Sequence, residues 1–404
     1  MTEEILKVSD LRLNFYTYEG VVQALDGVFL NLRKGETLGI VGETGCGKSV
    51  TGLSILNLVP PPGRIEGGQV VLERKGREVE LLTEKEVFLR RVRGRDISMV
   101  FQDPRSALDP VYTAGDQIVE VLLHHRTKEL IQETIERLDK QDEGVRKETE
   151  GVKKIESEKQ AKSGKKVKRE KPGFLHNFYK NTLQALLKNP RSLRLKIMRR
   201  IPILNGYRRL VKKEAKNEAV EILRIMRIPD PERVVGMYPH ELSGGMAQRV
   251  VIAMALACDP DILIADEPTT NLDVTVQLQI LQLIKELKER FSSSIIYITH
   301  DMGVVAEMCD RVAVMYAGSV VELAEVGEVF KEPLHPYTRA LLESIPRPGL
   351  PFKSIEGIVP SLINPPKGCR FNDRCPYAME VCHTVKPKSV EVKKNHFVEC
   401  FLHE

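Results

Sequence analysis

The feature that most constrains the fold of this chain is a glycine-rich segment directly after a short apolar run. Residues 38–41 (LGIV) have the composition of a buried strand, and residues 42–49 (GETGCGKS) match the phosphate-loop pattern G-x-x-x-x-G-K-S/T. The glycines let backbone N–H groups point at phosphate oxygens, and the following helix presents its positive end to them. Lys48 then reaches the β- and γ-phosphates, and the Ser49 hydroxyl binds Mg²⁺. The residues assigned to the nucleotide are Gly42, Glu43, Thr44, Gly45, Cys46, Gly47, Lys48, Ser49 and Val50.

A second apolar run ends in two carboxylates. Residues 262–265 (ILIA) predict another buried strand, and Asp266 and Glu267 follow it. A buried strand that ends in acids needs a cation or a ligand at its tip, because an unpaired buried charge is costly. We expect Asp266 to belong to the Mg²⁺ shell and Glu267 to orient and polarise the attacking water, since phosphoryl transfer depends mostly on positioning and charge stabilisation. The alternative is a strand end capped by solvated acids, which the phosphate loop disfavours.

Length and composition limit the class of protein. The 404 residues suggest two to three domains at roughly 100–200 residues each, and 42% hydrophobic with 29% charged residues is typical of a soluble globular protein. No apolar run approaches the roughly 18–20 residues that cross a bilayer, and the start, MTEE, lacks the features of a signal peptide. Seven cysteines are too few, and odd in number, for a disulfide scaffold. A net charge of +5 is too small to indicate a nucleic-acid partner.

Further motifs lie between and after these segments. Residues 242–249 (LSGGMAQR) are similar to the signature motif of ABC-transporter ATPases. Gln102 resembles the Q-loop glutamine of that family, residues 271–273 (NLD) resemble its D-loop, and His300 resembles its switch histidine. The resemblance implies an α/β fold with a RecA-like core, an antiparallel β subdomain and a helical subdomain.

The resemblance also implies how these residues act on ATP. Gln102 contacts Mg²⁺ or water and senses the γ-phosphate, His300 contacts the γ-phosphate, and Glu267 is the key catalytic carboxylate. Phe15 stacks on adenine, with Tyr16 as the alternative. The signature segment closes on ATP held by an opposite subunit, so two ATP molecules lie between two domains and one chain alone hydrolyses ATP poorly. The residues assigned to this contact are Ser243, Gly244, Gly245, Gln248 and Asp273.

Two positions depart from the family pattern. Asn271 stands where alanine is more usual, and Cys46 stands where serine is also common. Neither change removes a catalytic group, so we expect a competent nucleotide site.

The last sixty residues are rich in proline and contain four of the seven cysteines. Residues 335–346, with HPYTRALL and an Ile-Pro pair, resemble the tail of oligopeptide/dipeptide importer ATPases. Cys369, Cys375, Cys382 and Cys400 follow with the spacing C-x5-C-x6-C-x17-C. Four clustered thiols indicate a metal site, and four thiolates suit a [4Fe–4S] cluster or tetrahedral zinc. The residues alone favour zinc, although the usual C-x2–4-C pairs are missing, whereas the resemblance implies a [4Fe–4S] cluster.

Other interpretations of this tail stay open. The histidines that lie near enough to replace a cysteine ligand are His383, His396 and His403. The four thiols could also be ordinary free cysteines. Cys258 and Cys309 are expected to be packed core residues.

A long insertion separates the Q-loop from the signature motif. Related ATPases need a few dozen residues there, but Gln102 and Ser243 are 141 positions apart, so residues 126–213 look inserted into the helical subdomain. Residues 171–216 contain 13 Lys or Arg and one acid, Glu214, and their apolar side chains recur as on two amphipathic helices. The apolar positions are Leu175, Tyr179, Leu183 and Leu187, then Leu193, Ile197, Ile201 and Leu204. The apolar stripe packs on its own domain, or the basic faces contact anionic lipid or permease loops, or they bind nucleic acid.

We therefore predict an ATPase that powers a peptide-type ABC importer as a peripheral protein on the cytoplasmic face of the membrane. The expected domains are an ATPase domain (1–125 and 214–330), the insertion (126–213) and a C-terminal module (331–404). The expected partners are a second homologous ATPase, with a homodimer possible, two permease subunits and an extracellular binding protein. The same motor in an importer of oligosaccharides or nickel is the first alternative. A soluble ABC ATPase that acts on DNA or ribosomes is the second, although such proteins usually carry two nucleotide domains or a long coiled coil.

Overall fold

The computed structural model describes residues 3–140, 174–188, 206–346 and 354–404. The chain divides into two compact units. The first is formed by Met1–Ala107 together with Ala247–Glu404, and the second by Leu108–Met246.

The described strands all belong to the first unit. In chain order they are β1 (Glu4–Thr17), β2 (Gly20–Arg33), β3 (Thr37–Val41), β4 (Gly63–Arg74), β5 (Arg77–Glu80), β6 (Ile97–Val100), β7 (Ile262–Asp266), β8 (Ser294–Thr299), β9 (Arg311–Tyr316), β10 (Ser319–Glu325), β11 (Ser389–Lys393) and β12 (His396–Glu399). The helices are α1 (Lys48–Ile55), α2 (Glu86–Val92), α3 (Pro104–Ala107), α4 (Ala114–His125), α5 (Phe174–Lys188), α6 (Gly206–Ile225), α7 (Pro231–Val234), α8 (Gly244–Leu256), α9 (Val274–Phe291), α10 (Met302–Met308), α11 (Val326–Lys331), α12 (Pro336–Glu343) and α13 (Glu380–Thr384). Residues 127–140 are also helical.

The main sheet has the strand order β11-β12-β10-β9-β3-β8-β7-β6. From β9 to β6 the neighbouring strands run parallel. Every residue of these five parallel strands is buried. Continuous apolar runs are typical of parallel strands covered on both faces. The buried strands predicted at residues 38–41 and 262–265 are therefore confirmed as β3 and β7.

The carboxyl ends of these strands place the predicted site residues along one edge of the sheet. β3 ends directly before the phosphate loop, and β7 ends at Asp266. β8 ends one residue before His300, and β6 ends two residues before Gln102. Ligands of open α/β sheets bind beyond this edge, because loops from separate strands meet there.

The second sheet is antiparallel, with the order β2-β1-β4-β5. Its inner side chains and those of β3 belong to one apolar core, which includes Leu11, Leu13, Leu25, Leu38 and Ile40. The antiparallel subdomain that the family resemblance implied is thus present, and it shares a core with the parallel sheet.

The C-terminal residues extend the main sheet. β12 pairs with β10, where Glu322 lies opposite Val398, and β11 pairs with β12. The ring of Phe371 packs against the rings of Tyr316 and Tyr337. The segment predicted as a separate module over 331–404 is therefore continuous with the sheet and core of the first unit.

The second unit is helical where it is described. α4 and α5 both pack on α6. The predicted amphipathic stripe coincides with α5, in which Leu183 is completely buried and Tyr179 is half-buried. The later predicted positions, 193, 197, 201 and 204, lie outside the described residues.

This second unit contains more residues than the predicted insertion of residues 126–213, since it also includes α4. The start of α4 is bound to a later part of the same unit. The N–H of Ala114 donates to the carbonyl of Met237 over 2.8 Å, and the N–H of Gly115 donates to the carbonyl of Val235 over 3.0 Å. No helix in the described part of the chain has the length and apolar character needed to span a membrane.

Candidate functional site

One cavity of the first unit joins the phosphate loop to the antiparallel sheet and to the edge of the main sheet. Its lining residues are Phe15, Val22, Ala24, Thr44, Gly45, Gly47, Lys48, Ser49, Val50, Gln102, Glu267 and Leu362. The sequence analysis assigned all of them to the site except Val22, Ala24 and Leu362. These three are ordinary apolar residues in no motif, so no local signal could have identified them.

The shape of the phosphate loop depends on glycines. Gly47 has a φ of +101°, and a Cβ there would lie 2.8 Å from Cδ2 of Leu25. A Cβ on Gly42 would lie 2.1 Å from the carbonyl oxygen of Met315. Cys46 is 1% exposed, and burial raises the pKa of its thiol. The loop is thus closely packed on its outer side, and its inner residues face the cavity.

Lys48 lies where the loop meets the first turn of α1. Its side chain is buried, and Nζ donates to the carbonyl of Gly42 over 2.7 Å and to that of Glu43 over 3.1 Å. The ammonium group is therefore folded back over the loop beside the N-terminus of α1. Both groups attract anions, as phosphate binding at a helix N-terminus requires.

Asp266 and Ser49 are hydrogen bonded to each other. The Ser49 hydroxyl donates to Oδ1 of Asp266 over 3.0 Å. Burial raises the pKa of Asp266 to about 6, and the neighbouring Glu267 adds to the shift. A cation at this point would favour the charged carboxylate. The pair fits Mg²⁺, which prefers one or two carboxylates, hydroxyl groups and substrate phosphates as ligands.

Glu267 accepts hydrogen bonds from several side chains. Nε2 of Gln102 donates to Oε2 over 3.0 Å, the Thr270 hydroxyl donates to the same oxygen over 2.9 Å, and Nδ1 of His300 lies 3.0 Å from Oε1. Burial alone would raise the pKa of Glu267, but the hydrogen bonds of His300 and Thr270 outweigh burial and lower it. The carboxylate is therefore charged and held in one orientation. Thr270 is a contact that the sequence analysis did not anticipate.

Phe15, on strand β1, lines this cavity. Tyr16 is 43% exposed, and its hydroxyl donates to Glu66 over 2.7 Å. Leu362 also lines the cavity, and its carbonyl accepts the N–H of Gln23 over 2.8 Å. Of the two aromatic candidates, the structure places Phe15 at the cavity.

The signature residues begin α8. Ser243 is exposed, and its hydroxyl accepts the N–H of Met246 over 3.3 Å. Asp273 is also exposed and caps α9 by accepting the N–H of Val276 over 3.0 Å. Gln248, which was grouped with them, is instead 1% exposed. Ser243 and Asp273 are therefore open to a partner, whereas the Gln248 side chain is inside the fold.

The four C-terminal cysteines line one small cavity, together with residues that include His335 and Phe371. Burial raises the pKa of the Cys369 thiol to about 12 and also raises the pKa of Cys375 and Cys400. Across the described ranges, no group of three or more His, Cys, Asp or Glu side chains is arranged to hold a metal ion.

The three histidines considered as substitute ligands have other partners. Nδ1 of His383 lies 3.2 Å from Asn372, Nε2 of His396 lies 2.8 Å from the buried Glu322, and Nε2 of His403 lies 3.2 Å from a backbone carbonyl. None of the three lines the cysteine cavity. Among the other thiols, Cys258 is buried, and burial raises the pKa of the partly buried Cys309 to about 12.

Comparison with known families gives two matches. Residues 25–270 match the family described as "ABC transporter". Residues 321–382 match "Oligopeptide/dipeptide transporter, C-terminal region". The first match includes the phosphate loop and the signature segment, and the second includes the HPYTRALL segment and three of the four C-terminal cysteines.

Curated relatives match over nearly the whole chain. A probable peptide ABC transporter ATP-binding protein of Sinorhizobium fredii is 41% identical, covering 98% of this chain and 94% of the relative. The dipeptide transport ATP-binding protein DppD of Bacillus subtilis is 40% identical, covering 100% of this chain and 96% of the relative. Among solved structures, the dimeric ATP-binding cassette MJ0796 bound to ADP and Pi has a TM-score of 0.52 at 22% identity, covering 80% of this chain and 99% of that one. The structural likeness establishes the cassette fold.

Proposed function

Since this chain belongs to the ABC transporter ATPases and matches their oligopeptide/dipeptide group at its C-terminal region, we propose that it drives a peptide importer from the cytoplasmic face of the membrane. It is an ATP-binding subunit with ATPase activity. In the proposed complex it works with two permease subunits and an extracellular substrate-binding protein. Oligosaccharides and nickel remain alternative cargoes, because cargo is selected by subunits other than this one.

The observation that carries the proposal is the arrangement around Glu267. The carboxylate faces the same cavity as Lys48 and Ser49, and it is oriented by Gln102 and His300. A charged carboxylate held at the end of a phosphate-binding cavity is what water activation requires.

The proposed reaction is hydrolysis of the γ-phosphate. A water oriented by Glu267 attacks the γ-phosphorus, the bond from phosphorus to the β–γ bridging oxygen breaks, and the water proton passes to the carboxylate. Lys48 and the N–H groups of the loop stabilise the charge on the transferred group. Mg²⁺ supplies further charge neutralisation when it is bound, with Ser49, Asp266 and Gln102 as its protein ligands. Phe15 stacks on the adenine.

The trans arrangement is a second part of the proposal. Ser243, Gly244, Gly245 and Asp273 contact ATP held by another ATPase subunit, and the exposure of Ser243 and Asp273 supports this role. The partner proposed is a homologous ATPase, with a second copy of this chain as the alternative.

The test is transport by the assembled importer in proteoliposomes. Glu267→Gln retains ATP binding but should lower ATP hydrolysis and peptide uptake by at least about 100-fold, because a positioned base contributes roughly 10²–10⁴-fold. Glu307→Gln, an exposed Glu outside the cavity, is the matched control and should leave both rates unchanged. Normal turnover by the Glu267→Gln complex would contradict the assignment. Uptake of an oligosaccharide or Ni²⁺ in place of peptide would change the cargo but not the motor.

We also propose that Cys369, Cys375, Cys382 and Cys400 hold a [4Fe–4S] cluster, with zinc as the alternative. Support comes from the single cavity that all four residues line. One tetrahedral zinc ion needs four sulfurs within about 2.3 Å of one point, whereas each thiolate of a cluster binds a different iron. Such a cluster would cross-link residues 369–400 through bonds from sulfur to iron.

Anaerobic purification of the full chain tests this second proposal. We expect iron and acid-labile sulfide near four per chain, with a broad brown absorbance, following the composition of about four irons in such a cluster. Cys382→Ser should lower the iron content, while Cys309→Ser should not. Stoichiometric zinc without iron would establish the alternative.

A further inference from the structure

The loop between the first two C-terminal cysteines contacts the phosphate loop. This cysteine loop, residues 369–375, contains two arginines, and the second of them, Arg374, forms a forked ion pair with Glu43. Nη1 lies 2.7 Å from Oε2 and Nη2 lies 3.1 Å from Oε1. Only 5% of the Arg374 side chain is exposed. Forked pairs of this kind are stronger and more directional than single ionic contacts.

Other contacts fix both partners of this pair. Arg374 also donates to the Tyr316 hydroxyl over 3.1 Å and to the carbonyl of Glu356 over 2.9 Å. The N–H of Glu43 donates to the Tyr337 hydroxyl over 3.0 Å. The Glu43 side chain is thus turned toward the cysteine loop by one contact at its backbone and two at its carboxylate.

The first arginine reaches the phosphate loop indirectly. Arg370 donates to the carbonyl of Ala317 in the β9–β10 turn and to that of Gln23. In the same turn, the N–H of Gly318 donates to the carbonyl of Cys46 over 2.9 Å. Residues 369–375 are therefore connected to the phosphate loop both by the direct ion pair and through the β9–β10 turn.

The charge of Glu43 gives these contacts a consequence for ATP. A carboxylate in an anion-binding loop repels the triphosphate, and the repulsion is strong near a partly buried site. Arg374 neutralises that carboxylate and holds it away from the cavity, which Glu43 does not line. We propose that Arg374 is a positioning residue for ATP binding, through which the cysteine loop sets the affinity of the phosphate loop.

The inference rests on ATP binding at the phosphate loop, and the test distinguishes a missing effect of Arg374 from a failure of the chain to bind ATP. MgATP affinity is measured on the full chain for Arg374→Gln, Arg374→Lys and the double variant Arg374→Gln/Glu43→Gln. We expect Arg374→Gln to weaken binding about tenfold, because coupled charged pairs contribute energies of that order. Arg374→Lys, which keeps the charge and loses the fork, should lose less affinity. Arg290→Gln, at an exposed position of α9, is the control.

The double variant distinguishes positioning from a merely structural role. Removing the carboxylate as well should restore most of the lost affinity, since the uncompensated charge is then gone. The defect of Arg374→Gln should also shrink as salt is raised. Equal ATP affinity of wild type and Arg374→Gln, or a double variant as weak as the single one, would overturn the inference. Failure of the wild-type chain to bind ATP would instead overturn the proposed function.

Discussion

Two residues that follow β7 have a left-handed backbone. Glu267 has a φ of +44° and Asn271 a φ of +63°. Asn tolerates this conformation better than most residues, which gives a physical account of the departure from alanine at position 271. Glu267 has no such tolerance, and strain of this kind costs roughly 1–3 kcal/mol. The N–H of Glu267 donates to the carbonyl of Ile298 over 2.9 Å, which helps to hold it.

The phosphate loop leads to a prediction for Gly47. A Cβ there would meet both Leu25 and Ala24, and the φ of +101° is unfavourable for other residues. Gly47→Ala should lower the free energy of unfolding by roughly 1–3 kcal/mol and weaken ATP binding. Denaturant unfolding and nucleotide titration measure the two effects.

Gly327 provides the control for this change. It lies in α11, where an added Cβ would meet no atom within 4 Å. Gly327→Ala should leave stability unchanged or raise it slightly, because alanine is the better helix former. Equal stability of the two variants would show that Gly47 is not sterically required.

The burial of His335 predicts that the protein loses stability in mild acid. Burial lowers the pKa of its imidazole to about 4 from an ordinary value of 6.5, with Glu322 opposing and His403 adding to the shift. Between these values the unfolded chain binds a proton that the folded chain does not. The contribution of His335 to the free energy of unfolding should therefore be constant above pH 6.5. Below that pH it should fall as the pH approaches 4, by up to about 3 kcal/mol in all.

The matched variant for His335 is His335→Asn. Nδ1 of His335 accepts the N–H of Tyr337 over 3.0 Å as the cap of α12, and asparagine can supply a cap acceptor without titrating. Denaturant unfolding from pH 7.5 to 4.5 should give a shallower fall for this variant. Identical pH profiles would show that another group causes the acid sensitivity.

At the scale of elements, the parts of the fold that could be predicted are those with local patterns. The apolar runs before Lys48 and Asp266 marked β3 and β7, and helical spacing marked α5. The pairing of β12 with β10 could not be predicted, because strand pairing joins residues far apart in sequence and leaves no local pattern. Leu362 and Arg374 were missed for the same reason, because each contacts a residue more than 300 positions earlier in the chain.

The insertion leads to a prediction about its basic positions. Leu183 of α5 is buried, which accords with a stripe that packs on its own unit. The four arginines between residues 191 and 200 lie outside the described residues. Gln substitution of four arginines should weaken binding of the full chain to anionic vesicles at least about tenfold at low salt, because each contributes on the order of 1 kcal/mol near anionic lipid. The positions are Arg191, Arg194, Arg199 and Arg200.

Co-sedimentation at low and high salt measures this binding, and the difference should fade as salt rises. The control set is four exposed arginines outside the insertion. These are Arg77, Arg90, Arg91 and Arg290. Unchanged sedimentation of the first set at low salt would leave packing within the unit as the role of the insertion.

At the scale of the whole molecule, the proposed ATP site is incomplete in one chain. Lys48 and Glu267 line the cavity of this chain, whereas the exposed Ser243 and Asp273 are proposed to serve a second nucleotide. A chain that binds ATP but cannot hydrolyse it should therefore accumulate in a complex with its partner, because ATP bound between two subunits stabilises that complex by mass action.

The complexes that Glu267→Gln forms with ATP show which ATPase is the partner of this chain. With ATP, light scattering should find the variant monomeric alone and in a one-to-one complex once the homologous ATPase is added. Adding Ser243→Arg to the same chain should prevent that complex, since a large cation would fill the proposed contact with ATP on the partner. A doubled mass for Glu267→Gln alone, dependent on both ATP and Ser243, would instead identify a second copy of this chain as the partner.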